Sequence, residues 1–144
     1  MKNIDSKGHV TGNSIYLDDI PVIQGTLHGV VFYSSCAHGT IDSVDYSEAL
    51  KYPGVKQILT YKDIPGENQI GGIFPDEPLF AKSEVHFQGQ PIALVLAETE
   101  EVGHHARELI KISFTQKEIV VDPRIAQEKD LLIFPPRTFK LGDV

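Results

Sequence analysis

The sequence has a single cysteine, Cys36, a single methionine and no tryptophan. One thiol cannot close a disulfide within the chain, and it cannot furnish the thiolate set of a cysteine-built zinc or iron–sulfur site, so a reducing, cytoplasmic setting is expected. Long apolar runs are also missing. The longest, Ile92-Ala-Leu-Val-Leu-Ala97, falls far short of the roughly twenty residues that span a bilayer, so no membrane partner is expected. Met1-Lys-Asn-Ile-Asp-Ser-Lys-Gly-His9 is polar where a secretory signal needs an apolar stretch. Positive charge is scarce: 13 Lys and Arg against 20 Asp and Glu leave a net charge of −7 with the histidines neutral. A nucleic-acid surface needs a clustered positive field, so no nucleic acid is expected as a partner. Gly66, Gly71, Gly72 and Gly89 do not open directly into a helix, which argues against a phosphate cradle. Internal repeats and low-complexity tracts are absent as well.

What remains is an ordinary soluble composition, 41% hydrophobic and 23% charged over 144 residues. A chain of this length buries roughly 68–70% of its unfolded surface and needs no metal or disulfide staple. The patterning predicts an α+β domain of small mixed sheets with one main and one short helix. The opening to about Gly12 reads as extended, and Tyr16 to Pro21 as a loop ending in a short strand or bridge. Strands are expected over Thr26–Tyr33, Gly39–Tyr46, Val55–Tyr61, Glu84–Gln88, Ile92–Ala97 and about Ile110–Thr115. Glu84–Gln88 and Ile92–Ala97 read as two strands joined tightly at Gly89–Pro91, the second buried on both faces because it does not alternate. Ser47 is a candidate N-cap for a short helix to Lys51, which Pro53-Gly54 ends. Thr99, followed by Glu100 and Glu101, opens the main helix to about Leu109, with Val102, Ala106, Leu109 and Ile110 on one face. Val120 to Pro123 turns the chain, Arg124–Lys129 reads as a helical turn, and Pro135-Pro136 with Lys140–Val144 reads as a surface tail.

Four clusters invite a chemical reading, each beside a plainer one. His104 and Glu108 sit at i, i+4, a metal-holding spacing, but the His-Glu-x-x-His pattern of zinc proteases is missing and a solvated helix face explains them. Asp18-Asp19 lacks the oxygen ladder of a calcium loop and suits a turn. Cys36 and His38, two apart on one strand face, resemble an activated nucleophile pair, although a free cysteine is more often a small buried hydrophobe. The fourth is the proline-bounded segment from Ile64 to Leu79, which sets Ile70, Ile73, Phe74 and Leu79 in a loop. Such side chains either cap the domain's own core or face a partner domain or pocket.

Six stretches occur in order along the chain: Val10-Thr-Gly-Asn-Ser-Ile-Tyr-Leu-Asp-Asp-Ile-Pro21, Tyr52-Pro-Gly-Val55, Asp63-Ile-Pro-Gly-Glu-Asn68, Pro75-Asp-Glu-Pro-Leu-Phe-Ala81, Val85-His-Phe-Gln-Gly-Gln-Pro-Ile-Ala93 and Ala97-Glu-Thr99. Together they strongly resemble the a/b hammerhead domain at the N-terminal end of the molybdopterin-binding part of the xanthine dehydrogenase and aldehyde oxidase family. The resemblance implies a hammerhead domain over residues 1–130 and a linker over 131–144 that leads to downstream molybdopterin-binding domains. It implies membership in an oxidoreductase that hydroxylates a purine- or aldehyde-type small molecule, as in purine catabolism, with water supplying the oxygen. Molybdopterin-bound molybdenum, 2Fe-2S clusters and FAD are implied for the complete enzyme, carried by other domains or subunits, and none in this chain. No catalytic, cofactor-binding or metal residue is implied here, and the isolated fragment is expected to be inactive. Gly72-Ile73-Phe74 is similar to the family stretch that lines the substrate channel, which makes Ile73 and Phe74 the candidate channel residues; Pro75 stands where some relatives carry asparagine. The competing reading is a free-standing, non-catalytic binding or scaffold module.

Overall fold

A computed structural model describes residues 4–133 and 137–142. In one three-stranded sheet, β5 (Pro91–Ala97) lies between β1 (His28–Tyr33) and β3 (Val55–Thr60). In the other, β2 (Gly39–Asp45) lies between β4 (Glu84–Val85) and β6 (Lys111–Gln116). The small sheets expected from the sequence are thus two, and their pairings are antiparallel throughout. Helices α1 (Ser6–Thr11), α2 (Ser47–Lys51), α3 (Glu100–Glu108) and α4 (Pro123–Glu128) complete the α+β fold. Among the described residues, no helix is long and apolar enough to cross a membrane.

β5 organises the core. Ile92, Ala93, Val95 and Ala97 are all at most 2% exposed, but from Ala93 to Ala97 burial alternates with the part-buried Leu94 and Leu96, so the second face, expected to be buried as well, is only partly covered. Ala93 and Val95 pack with Ala49 of α2, Ile58 of β3, Ala106 of α3 and Ile110. Ile92 packs instead with Cys36, Ala81 and Val85, beside Ile41, Ile112 and Phe114 of the second sheet. The strand therefore feeds both apolar clusters. α3 forms as its cap predicts, the Thr99 hydroxyl accepting the Val102 N–H at 3.2 Å. Its buried face presents Gly103 and Ala106, whose small size brings the helix axis close to β1.

Several expectations are corrected. β4 and β5 are not a hairpin; they belong to different sheets. The strand expected over Glu84–Gln88 stops at Val85, because the His86 N–H donates to Oε1 of Gln90 at 2.7 Å rather than to a neighbouring strand. Gln90 is only 2% exposed, and its own backbone turns the chain through Gly89 at φ 90°. The opening segment is not extended. It forms α1, closed by Gly12 at φ 70° with Asn13 N–H donating to Gly8 O at 2.9 Å; no α1 residue is buried, so no apolar periodicity announces the helix. Leu17–Asp19 is a short 3-10 turn rather than a strand or bridge, with Asp19 Oδ2 accepting the Tyr16 N–H at 2.9 Å. Ser47 is the first residue of α2 rather than its cap; Asp45 Oδ1 accepts its N–H at 2.9 Å. The helical turn expected at Arg124–Lys129 is α4, with Asp122 Oδ1 accepting the Arg124 N–H. Of the expected tail, Pro135-Pro136 and the last two residues lie outside the described residues.

Candidate functional site

Between β3 and β4, residues 61–83 hold no helix or strand. A connection this long keeps one shape only if its ends are tied, and the tie is Asn68. Its Nδ2 donates to the Phe80 carbonyl at 2.7 Å and its Oδ1 accepts the Phe80 N–H at 2.9 Å. Phe80 and Ala81 then run into the interior, 8% and 2% exposed, and the Ala81 N–H donates to Pro91 O of β5 at 2.8 Å. One step further out, Ile70 N–H donates to Glu77 O at 2.8 Å and narrows the loop again. At Gly71 a Cβ would stand 1.9 Å from the Phe74 carbonyl oxygen, so the chain folds over a position where no side chain fits. Gln69 Oε1, at the neck, is buried with no hydrogen-bond partner among the described residues.

The tip beyond this neck is apolar and faces outward. Ile73 is 89% exposed and Phe74 44%, with Ile70 and Leu79 also exposed. The Arg137 guanidinium lies 5.4 Å from the centre of the Phe74 ring, a cation–π distance. Of the two readings of this loop, capping the domain's own core fits Phe80 and Ala81, whereas Ile73 and Phe74 are set outside it.

The other sequence candidates separate. The Cys36 thiol, 7% exposed, donates to the backbone carbonyl of His38 at 3.3 Å and belongs to an apolar cluster, so the pair is not arranged as nucleophile and imidazole base. His104 Nε2 meets Glu100 Oε1 at 3.4 Å, one turn towards the N-terminus, while Glu108 lines a shallow recess with Phe32, Tyr33, Arg107 and Ile110. Asp19 serves its 3-10 turn, in keeping with the plainer reading.

One cluster escapes sequence reading. His38, just before β2, Glu84 of β4 and His86 offer ligand atoms within 4.8 Å of one another. His38 Nε2 lies 3.1 Å and His86 Nδ1 4.0 Å from Glu84 Oε1, and Lys117 Nζ lies 2.8 Å from Glu84 Oε2. Hydrogen bonds from Lys117 and then His38 hold the Glu84 carboxyl below the usual carboxylate range, against a small opposing effect of burial. Glu84 and His86 share a strand-like i, i+2 spacing, a local signal, but His38 joins them only through the β2–β4 pairing.

Residues 11–118 match the family model described as aldehyde oxidase and xanthine dehydrogenase, a/b hammerhead domain. The chain is 38% identical over 122 residues to a probable xanthine dehydrogenase subunit of Bacillus subtilis, covering 85% of this chain and 16% of that one. It is 35% identical over 144 residues to the xanthine dehydrogenase/oxidase of Mus musculus, covering all of this chain and 11% of that one. The crystal structure of the aldehyde oxidoreductase from Desulfovibrio desulfuricans superposes with a TM-score of 0.76 at 28% identity, over 88% of this chain and 15% of that one. The chain thus spans only a small part of the relatives it matches. On the extent of the matched model and the agreement in fold, this chain belongs to the aldehyde oxidase and xanthine dehydrogenase family, as its a/b hammerhead domain.

Proposed function

We propose that this domain is a structural and channel-lining part of a xanthine dehydrogenase-type molybdenum hydroxylase, with Ile73 and Phe74 forming part of the wall along which substrate reaches the reacting centre. The observation that carries the reading is the outward, apolar tip on a tied neck: Ile73 is 89% exposed although the loop beneath it is held by two Asn68 hydrogen bonds. Holding apolar groups outward in water is unfavourable by about 25 cal/mol per Å², so a braced apolar tip suits a surface that another domain or a flat heteroaromatic or aldehyde substrate meets.

In this reading residues 1–130 are the hammerhead unit and 131–144 the connection towards the molybdopterin-binding domains. The molybdenum cofactor, when bound to those domains, supplies the oxidative hydroxylation. The iron–sulfur clusters do not fit this chain, since a 2Fe-2S centre takes four cysteine thiolates and Cys36 is the one cysteine, buried and donating to a carbonyl. Clusters and flavin therefore belong to partner domains or subunits, and the isolated chain is inactive. Its own residues exclude water and orient substrate, the work of a positioned apolar wall. The compartment that fits a reduced lone thiol is the cytoplasm.

Kinetics of the complete enzyme test the channel role. Phe74→Ala is expected to change kcat/KM by about tenfold or to re-rank substrates, with the molybdenum content unchanged. Unchanged kinetics across several substrates overturn the channel assignment. Co-expression of this chain with the remaining domains should yield one molybdenum-containing complex; a chain that stays apart favours a free-standing module.

A further inference from the structure

His38 shows its tautomer through its neighbours. Nδ1 lies 2.7 Å from the backbone carbonyl oxygen of Glu118, which can only accept, so Nδ1 carries the hydrogen. Nε2 faces Glu84 Oε1, 3.1 Å away, so both ring nitrogens face acceptors; the doubly protonated ring donates to both, and the singly protonated ring offers its Nε2 lone pair to a metal ion in place of that proton. A proton or a metal ion between the two atoms therefore satisfies them. A ring N–H fixed on a backbone carbonyl is also the arrangement that orients a metal-ligating histidine.

We propose that His38 Nε2, Glu84 Oε1 and His86 Nδ1 form a binding site for a divalent ion of the zinc class. Two imidazoles and one carboxylate suit zinc, nickel or copper rather than calcium or magnesium, which favour all-oxygen shells. Zinc bonds of 2.0–2.2 Å in a tetrahedron put neighbouring ligand atoms roughly 3.3 Å apart. The His38–Glu84 pair already stands at 3.1 Å and the Glu84–His86 pair at 4.0 Å, with all three ligand atoms within 4.8 Å of one another, so the His86 side chain, 62% exposed, is the one that must move in to close the shell. The two rings stack 5.9 Å apart and 28° from parallel, with one nitrogen of each within 4.0 Å of Glu84 Oε1. Solvent takes the fourth position.

The supports of the site are built in. Gln90, nearly fully buried, fixes the His86 backbone through the 2.7 Å bond to Oε1, and Glu84 is held in register opposite Thr40 of β2. Lys117 occupies the second Glu84 oxygen, which makes the carboxylate monodentate and sets one ammonium against the ion. A further cation, Lys129, is engaged by the Glu118 carboxylate. An ion here ties the two-residue strand β4 to the start of β2, the shortest pairing in the fold.

Titration calorimetry of the whole 144-residue chain with zinc chloride, alongside visible absorption with cobalt(II), tests the site. One ion per chain, an intense tetrahedral cobalt band and a raised thermal midpoint with zinc are expected. His86→Ala and Glu84→Gln should each weaken binding at least about tenfold. Lys117→Met should tighten it severalfold by removing the opposing charge. The double variant His104→Ala with His105→Ala should bind as the parent does. No binding, or binding that survives His86→Ala, overturns the proposal, and loss in the α3 double variant instead places the ion on that helix and overturns it too. His86 has no buried side-chain role, so its variant separates loss of ligand from loss of fold.

Discussion

Gly103 of α3 lies so close to Val30 of β1 that a Cβ there would stand 2.5 Å from Val30 Cγ2 and 3.2 Å from Val30 Cβ. Val30 is β-branched, stiff at χ1 and 5% exposed, so it has nowhere to turn. Gly103→Ala gains about 0.8–1 kcal/mol of helix propensity but incurs about 1–3 kcal/mol of overpacking. A net loss of up to about 2 kcal/mol in urea unfolding is expected. In a Val30→Ala background the same change should become stabilising, and a sign that does not reverse would argue against this contact as the cause.

Asn68 holds the neck of the long loop by two hydrogen bonds to one buried residue. Asn68→Ala leaves the Phe80 N–H and carbonyl without that partner and should lower unfolding stability by about 2–4 kcal/mol. Asn68→Asp keeps the acceptor but sets an anionic oxygen against the Phe80 carbonyl, so it should not rescue. Protease cleavage within 69–79 should rise in both variants.

Gln69 Oε1 is a buried acceptor with no partner among the described residues, and an unmatched buried acceptor typically costs about 1–3 kcal/mol. Gln69→Met, similar in length and free of that oxygen, is expected to be neutral or stabilising by up to about 1 kcal/mol in chemical denaturation.

Phe74 and Ile73 stand outside the apolar clusters. Phe74→Ala should change the stability of this chain by less than about 1 kcal/mol, as surface substitutions do. A midpoint shift of core size would show that the ring belongs to the body of the domain.

The Asp45 carboxyl is held below its usual range first by the Ser47 hydroxyl, then by the Ser47 N–H. A depressed folded pKa gives stability that is present above the unfolded carboxyl pKa and lost as pH falls through the folded one. The stability gap between the parent and Asp45→Ala should therefore close on acidification through the carboxylate range, with the parent losing the difference. A gap that persists in acid would assign the effect to helix geometry.

Elements that bury a face were legible in the sequence. α3 announces itself through Thr99 and the spacing of Val102, Ala106 and Ile110, and β5 through its unbroken apolar run. α1 was not, because a helix that buries nothing leaves no periodicity. The separation of β4 from β5 turns on one side chain, Gln90, which takes the strand's next donor; no propensity encodes that. In the candidate site, prolines and apolar residues mark the loop, but Asn68 reads as a turn residue until Phe80 is seen opposite it. The His38–Glu84 meeting spans 46 positions and exists only through strand pairing.

Because the loop is tied off at Asn68–Phe80 and again at Ile70–Glu77, what lies beyond contributes little to holding the body together. Residues 72–76 thus behave as an exchangeable cassette on an indifferent frame. Grafting a different five-residue tip should alter what the domain presents to its surroundings while its melting behaviour stays put.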